Sequence, residues 1–225
     1  MATASGKRKE YKKILVTSSV EDEGKSFVAF QLWRMLAESG KKVVLVDADI
    51  RKSILKSRYK ISADIKDHKG IAYYLAGTAE ISDVIYETNI TNGYMVPVVY
   101  TMSNPALLLQ SERFPYLLNL LAEKFDYVIV DTPPLDYVSD GNLVASHCDG
   151  AILVVRAGVT SRRLVASSLK QLEAAGCKLL GTVLNRAELK NSSYYYRYGG
   201  GRYSKYYRNY YYSSYGNDSK PSSEE

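Results

Sequence analysis

The sequence predicts an α/β fold: an open, mostly parallel sheet flanked by helices, followed by a disordered tyrosine-rich C-terminal tail. Three observations predict it. Short β-branched runs alternate with helix-period segments. Those runs are apolar nearly throughout, as in parallel strands covered on both faces. After Asn185 the periodicity stops, and from about Lys190 the chain is Tyr, Ser, Gly, Arg, Asn and Lys, ending in KPSSEE. Such a segment has too little apolar surface to offset its ordering entropy.

Taken in order, KKILVTS (12–18), SFVAFQLWRMLAES (26–39) and KKVVLVDAD (41–49) read as strand, helix and strand, a βαβ unit. Gly40 stands where a helix C-terminal cap belongs. Further strands read at YMVPVV (94–99), FDYVIVD (125–131), GAILVVR (150–156) and KLLGTVLN (178–185), with helical patterns near 105–124, 138–147 and 161–175. Phe30 and Trp33 read as helix core and Cys148 as a small buried residue. The expected organisation is one domain over 1–187 and a flexible tail over 188–225. In open α/β sheets, ligands bind beyond the carboxyl ends of the strands.

At 225 residues and 46% hydrophobic, the chain can build one sizeable core. No run approaches the roughly 18 apolar residues of a membrane span, and MATASGKRKE has no apolar stretch behind its charges, which predicts a cytoplasmic protein. Two cysteines and two histidines lack metal-ligand spacing, which argues against a structural metal. The net charge of +6 fits phosphate chemistry, an acidic partner, an anionic membrane surface or nucleic acid.

The chemistry sits at strand ends. The first strand runs into SVEDEGKS (19–26) and then a helix. A nucleotide-binding loop needs backbone N–H groups at a helix start, a Lys for the β/γ oxygens and a hydroxyl for Mg²⁺. Gly24, Lys25 and Ser26 supply these, although Glu21, Asp22 and Glu23 crowd a loop meant for an anion. VVLVDADIR (43–51) ends a strand with Asp47 and Asp49, which share one side of an extended chain. YVIVDTPP (127–134) ends another with Asp131, where a P-loop NTPase places its Mg²⁺-binding carboxylate. A single strand-end Asp is often a turn cap. Three of them beside a GKS loop form a specific combination.

With these motifs the chain resembles the bacterial tyrosine kinases (BY-kinases) of capsular and exopolysaccharide synthesis, P-loop proteins related to the MinD/ParA ATPases. SSVEDEGKS matches their variant Walker A loop, VVLVDADIRKS their Walker A′, YVIVDTPPL their Walker B, and residues 194–215 their tyrosine cluster. Similarity continues in GIAYYLAGTAEISDVIYET (70–88), NPALLLQSERF (104–114) and DGAILVVRAGVTSRR (149–163). Two departures stand out: the family loop commonly reads Pro-Gly where this chain has Glu21-Asp22, and the family's N-terminal E-x-x-R-x-x-R helix, which supports ring assembly, has no counterpart here.

The resemblance implies ATP and Mg²⁺ as cofactors and a division of roles. Glu23, Gly24, Lys25, Ser26 and Phe27 would bind nucleotide, with Lys25 on the β/γ phosphates. Ser26, Asp49 and Asp131 would hold Mg²⁺, and Asp47 would orient or deprotonate the incoming tyrosine. Arg51 would assist with phosphate charge or with a partner contact, and Asn185 would contact adenine. The phosphoacceptors would be Tyr194, Tyr195, Tyr196, Tyr198, Tyr203, Tyr206, Tyr207, Tyr210, Tyr211, Tyr212 and Tyr215. Implied partners are a separate membrane adaptor whose cytoplasmic tail activates the kinase at the inner face of the membrane, a tyrosine phosphatase, and a homo-oligomeric ring formed through tail-to-neighbour docking. Two rivals compete with this reading. One is a MinD/ParA-like ATPase switch whose nucleophile is water, and the other treats the Tyr/Arg/Gly tail as a nucleic-acid stacking surface. The kinase motifs favour a protein without a nucleic-acid partner.

Overall fold

A computed structural model describes residues 11–55, 69–136 and 139–187. Its frame is a parallel sheet assembled from strands distant in sequence. The strands are β1 (Lys13–Ser18), β2 (Val43–Asp47), β3 (Tyr86–Glu87), β4 (Gly93–Val96), β5 (Tyr127–Asp131), β6 (Gly150–Arg156) and β7 (Lys178–Asn185). Among the described residues they form one sheet in the order β3-β4-β2-β5-β1-β6-β7. Every neighbouring pair is parallel except the short antiparallel β3–β4 edge. The helices are α1 (Lys25–Glu38), α2 (Ile71–Leu75), α3 (Ala106–Leu109), α4 (Arg113–Lys124), α5 (Asp140–Ala145) and α6 (Arg162–Ala174), with a 3₁₀ turn at Ile81–Asp83.

Alternation along the strands divides the core in two. On β2, Val43 and Leu45 pack with Phe30 and Trp33 of α1, while Val44 and Val46 pack with Phe114, Leu117, Leu118 and Leu121 of α4. Trp33 and Phe30 are core, as their helical spacing predicts, and Cys148 is buried. Trp33 Nε1 donates to Val43 O at 3.3 Å. Gly40, at φ 88°, turns the chain out of α1 with its N–H on Ala37 O.

Three expectations are corrected. The helical pattern at 105–124 divides into α3 and α4 because Pro115, in the first turn of α4, has no N–H to give Ser111 O and its ring would clash with that carbonyl in a continuous helix. The strand expected over 94–99 stops at Val96, since Pro97 has no ladder donor; its carbonyl instead accepts the Ile71 N–H at 2.9 Å. β7 is not covered on both faces. It has one neighbour in the sheet and is largely exposed, Leu184 being 61% accessible. No helix among the described residues is long and apolar enough to cross a membrane. The tyrosine cluster at 194–215 lies outside the described residues.

Candidate active site

β1 ends at Ser18, and the loop from Ser19 to Gly24 leads into α1. Gly24 is the N-cap of α1 in the left-handed region, φ 95°, and no side chain caps the helix. The N–H groups at the start of α1, beginning with Lys25 and Ser26, are therefore left uncapped by any side chain at Gly24, which is the arrangement that attracts phosphate. Glycine suits this left-handed conformation, and a Cβ there would lie 2.1 Å from Asn185 Nδ2, so any other residue would have to displace the end of that side chain.

The structure shows how an acidic sequence makes an anion loop. Glu23 is buried and turned inward: Oε2 accepts the Val20 N–H at 2.8 Å, and Oε1 accepts the Arg156 N–H at 3.2 Å and the Thr160 hydroxyl. Glu21 Oε1 is paired with Lys52 Nζ at 2.8 Å. Asp22 is exposed, with a left-handed backbone at φ 60°, a conformation that favours glycine. The loop start is stitched to the segment after β5, with Leu135 N on Ser18 O and Asp136 N on Ser19 O, and to α6 through a buried 2.8 Å bond from Ser168 to Ser19.

Facing the loop are the carboxyl ends of β2 and β5. Asp47 and Asp131 are register partners on adjacent strands, and Asp47, Asp49 and Asp131 are all buried. Lys25 Nζ lies 3.3 Å from Asp49 Oδ2, while Asp49 Oδ1 accepts the Lys52 N–H. Asp131 Oδ1 is buried and has no hydrogen-bond partner among the described residues. Burial pushes the Asp131 carboxyl up to about 6, against the Lys25 ammonium and the Ser26 hydroxyl, which hold it down. Burial, reinforced by Asp131, holds Asp47 well above the ordinary carboxylate range despite the Ser53 hydroxyl on its Oδ2. Its Oδ1 accepts the Asp49 N–H at 3.3 Å, so each carboxylate oxygen already carries one donor and keeps a second lone pair for another.

Lys25, Ser26, Asp47, Asp49 and Asp131 thus meet at the carboxyl ends of the central strands. Arg51 is directed elsewhere: its Nε and Nη2 hold Asp140 at the start of α5 and its Nη1 donates to Ser103 O. Asn185 reaches the loop, with Nδ2 on Glu23 O at 2.8 Å and Oδ1 on the Arg186 N–H. Sequence reasoning assigned no role to Ser53, Asp140, Arg156, Thr160 or Ser168, which support the site. Ser53 closes VVLVDADIRKS, and Arg156 and Thr160 lie within DGAILVVRAGVTSRR, so those two segments carried the available signal; Asp140 and Ser168 lie in no quoted motif.

Among the described residues, no three His, Cys, Asp or Glu side chains gather into a self-sufficient metal site. Mg²⁺ asks for less, one or two carboxylates completed by phosphate oxygens and water. The hard-oxygen set of Ser26, Asp49 and Asp131, with an orphaned acceptor on Asp131, fits that requirement.

Residues 12–179 match the protein family described as "AAA domain". Tyrosine-protein kinase CpsD of Streptococcus agalactiae is 39% identical over 193 residues, covering 85% of this chain and 83% of that protein. Among solved structures, the kinase domain of Escherichia coli tyrosine kinase ETK superposes with a TM-score of 0.74 at 32% identity, covering 82% of this chain and 70% of that one. MinD of Pyrococcus horikoshii, solved with Mg-ADP, gives a TM-score of 0.67 at 25% identity, covering 80% and 72%. With a phosphate loop facing three strand-end carboxylates and these relatives around it, the chain belongs to the BY-kinase family, the P-loop ATPase-type tyrosine kinases of capsular and exopolysaccharide synthesis that are related to MinD/ParA.

Proposed function

We propose that the chain is an ATP-dependent protein-tyrosine kinase that phosphorylates its own C-terminal tyrosines and thereby regulates capsular or exopolysaccharide synthesis and export. The observation that carries this reading is the uncapped α1 N-terminus, with Lys25, opposite Asp47, Asp49 and Asp131, in a chain that ends in eleven clustered tyrosines. Lys25 and the N–H groups at the start of α1 bind the phosphates. Ser26, Asp49 and Asp131 would hold Mg²⁺, which would supply charge neutralisation to the transferring phosphoryl group. Asp47 takes the hydroxyl of the incoming tyrosine beside that of Ser53, orients it and accepts its proton, as the phosphoryl group passes to the phenol oxygen and ADP leaves. Its raised pKa suits a base facing a phenol of pKa near 10. Asn185, at the end of β7, borders the adenine side.

The stretch 188–225 has 38 residues, a contour of at most roughly 125 Å, long enough to reach a neighbour's site. A membrane adaptor's cytoplasmic tail holds the kinase at the inner face of the membrane and activates it, a tyrosine phosphatase reverses the modification, and tail docking on neighbouring subunits assembles an oligomer. The test is intact mass of the purified chain before and after MgATP, with and without the adaptor tail, alongside Lys25→Met and a version ending at Asn191. A ladder of added phosphate mapping to 194–215 and absent from both variants is expected. Steady ATP hydrolysis with no added phosphate, even with the adaptor tail supplied, would leave a MinD-like ATPase switch instead.

A further inference from the structure

We infer that Glu23 is a positioning residue for nucleotide binding: its buried carboxylate, paired with Thr160, fixes the phosphate loop onto the turn that follows β6. The inference rests on the ATP-binding reading above and adds to it the determinant that preorganises the loop.

Glu23 joins three segments that are far apart in sequence. Its Oε2 holds Val20 within the loop, and its Oε1 holds Arg156 N and the Thr160 hydroxyl, 133 and 137 residues away. Its carbonyl accepts Asn185 Nδ2 from the end of β7, 162 residues away. The residue is 1% accessible, and among the described residues its carboxylate faces N–H and O–H donors rather than a cation. A carboxylate in that position is costly unless every oxygen is satisfied. Three donors satisfy it here, one of them from a side chain.

The arrangement has two effects on an anion site. It turns one of three loop carboxylates away from the phosphate side. It also fixes Val20 on one flank of the loop, while Asn185 packs against Gly24 on the other, so the N–H groups between them are set before ligand arrives. Donors already in place lose less on binding than donors that must be ordered.

Glutamine cannot replace Glu23, because an amide has one acceptor oxygen. In either orientation its NH₂ faces an existing donor, Val20 N or the Arg156 and Thr160 pair. Thr160→Val removes one donor and leaves the other. Thr160→Ser keeps it.

The experiment titrates a fluorescent ADP analogue with Mg²⁺ into the full chain and into Glu23→Gln, Thr160→Val, Thr160→Ser and the Glu23→Gln/Thr160→Val double variant, with kcat and KM for ATP measured in parallel. We expect binding at least tenfold weaker in Glu23→Gln and about threefold to tenfold weaker in Thr160→Val, recovery in Thr160→Ser, and no further loss in the double variant. KM rises while kcat at saturating ATP stays within about threefold. Wild-type affinity in Glu23→Gln or Thr160→Val, strictly additive losses, or a fall in kcat with KM unchanged would each overturn the inference. No nucleotide binding by the wild-type chain would overturn the ATP reading itself, an outcome distinct from loss in the variants alone.

Discussion

Asp131 is held in a place that favours its neutral form. Its pKa of about 6 in the folded chain stands above the ordinary 3.8, so between those values the native state binds more protons than the unfolded one. The stability this protonation contributes is present in acid and is lost as pH rises through about 6. Asp131→Asn is therefore expected to raise the metal-free chain's stability at pH 7, on the order of 3 kcal/mol, and to flatten its decline above pH 4, while abolishing phosphate incorporation. Urea unfolding as a function of pH measures the first effect and intact mass the second. The acidic loop gives another test: replacing Glu21-Asp22 by Pro-Gly removes two charges near the phosphates and places glycine at a left-handed position. KM for ATP is expected to fall severalfold, less so in high salt. The strand-end aspartates were legible because each closes an apolar run. The direction of Glu23 was not, because its partners Arg156 and Thr160 lie more than 130 residues away.

Elements that alternate clearly in sequence could be located to within a few residues. KLLGTVLN is the strand expected over 178–185, and GAILVVR the one over 150–156. Proline decided the elements whose extent differed, by ending β4 and separating α3 from α4. α2 and the two-residue β3 are too short for a period to show, and β3 pairs antiparallel only because β4 lies alongside. The junction of β1 and α1 carries the prediction that belongs at this scale. Gly24→Ala puts a Cβ at φ 95° and 2.1 Å from Asn185, so α1 can start only by displacing β7's last side chain. A loss of about 1–2 kcal/mol in stability and of at least tenfold in ADP binding is expected, read by thermal unfolding with and without MgADP.

The strand order was not legible: apolar runs show that a parallel sheet exists, not that β5 lies between β2 and β1. That order makes Asp47 and Asp131 neighbours. Charge acts at the scale of the whole chain as well. Residues 190–225 carry six basic and three acidic side chains, and each phosphotyrosine adds about −1.5 to −2. Two phosphates cancel the excess and further ones reverse it, so self-association that depends on this stretch is expected to dissociate on phosphorylation and to weaken in salt. Sedimentation velocity before and after MgATP tests this, and unchanged size at full phosphorylation would refute it. The bond from Asn185 to Glu23 carries a consequence for the chain as it is made. Joining residues 162 positions apart, it cannot form on the ribosome until the last strand has emerged and folded back. A growing chain therefore completes its phosphate loop only after the last strand has left the ribosome, by which time the adjoining tyrosine cluster is already being made, and the nucleotide site and the tyrosines mature almost together.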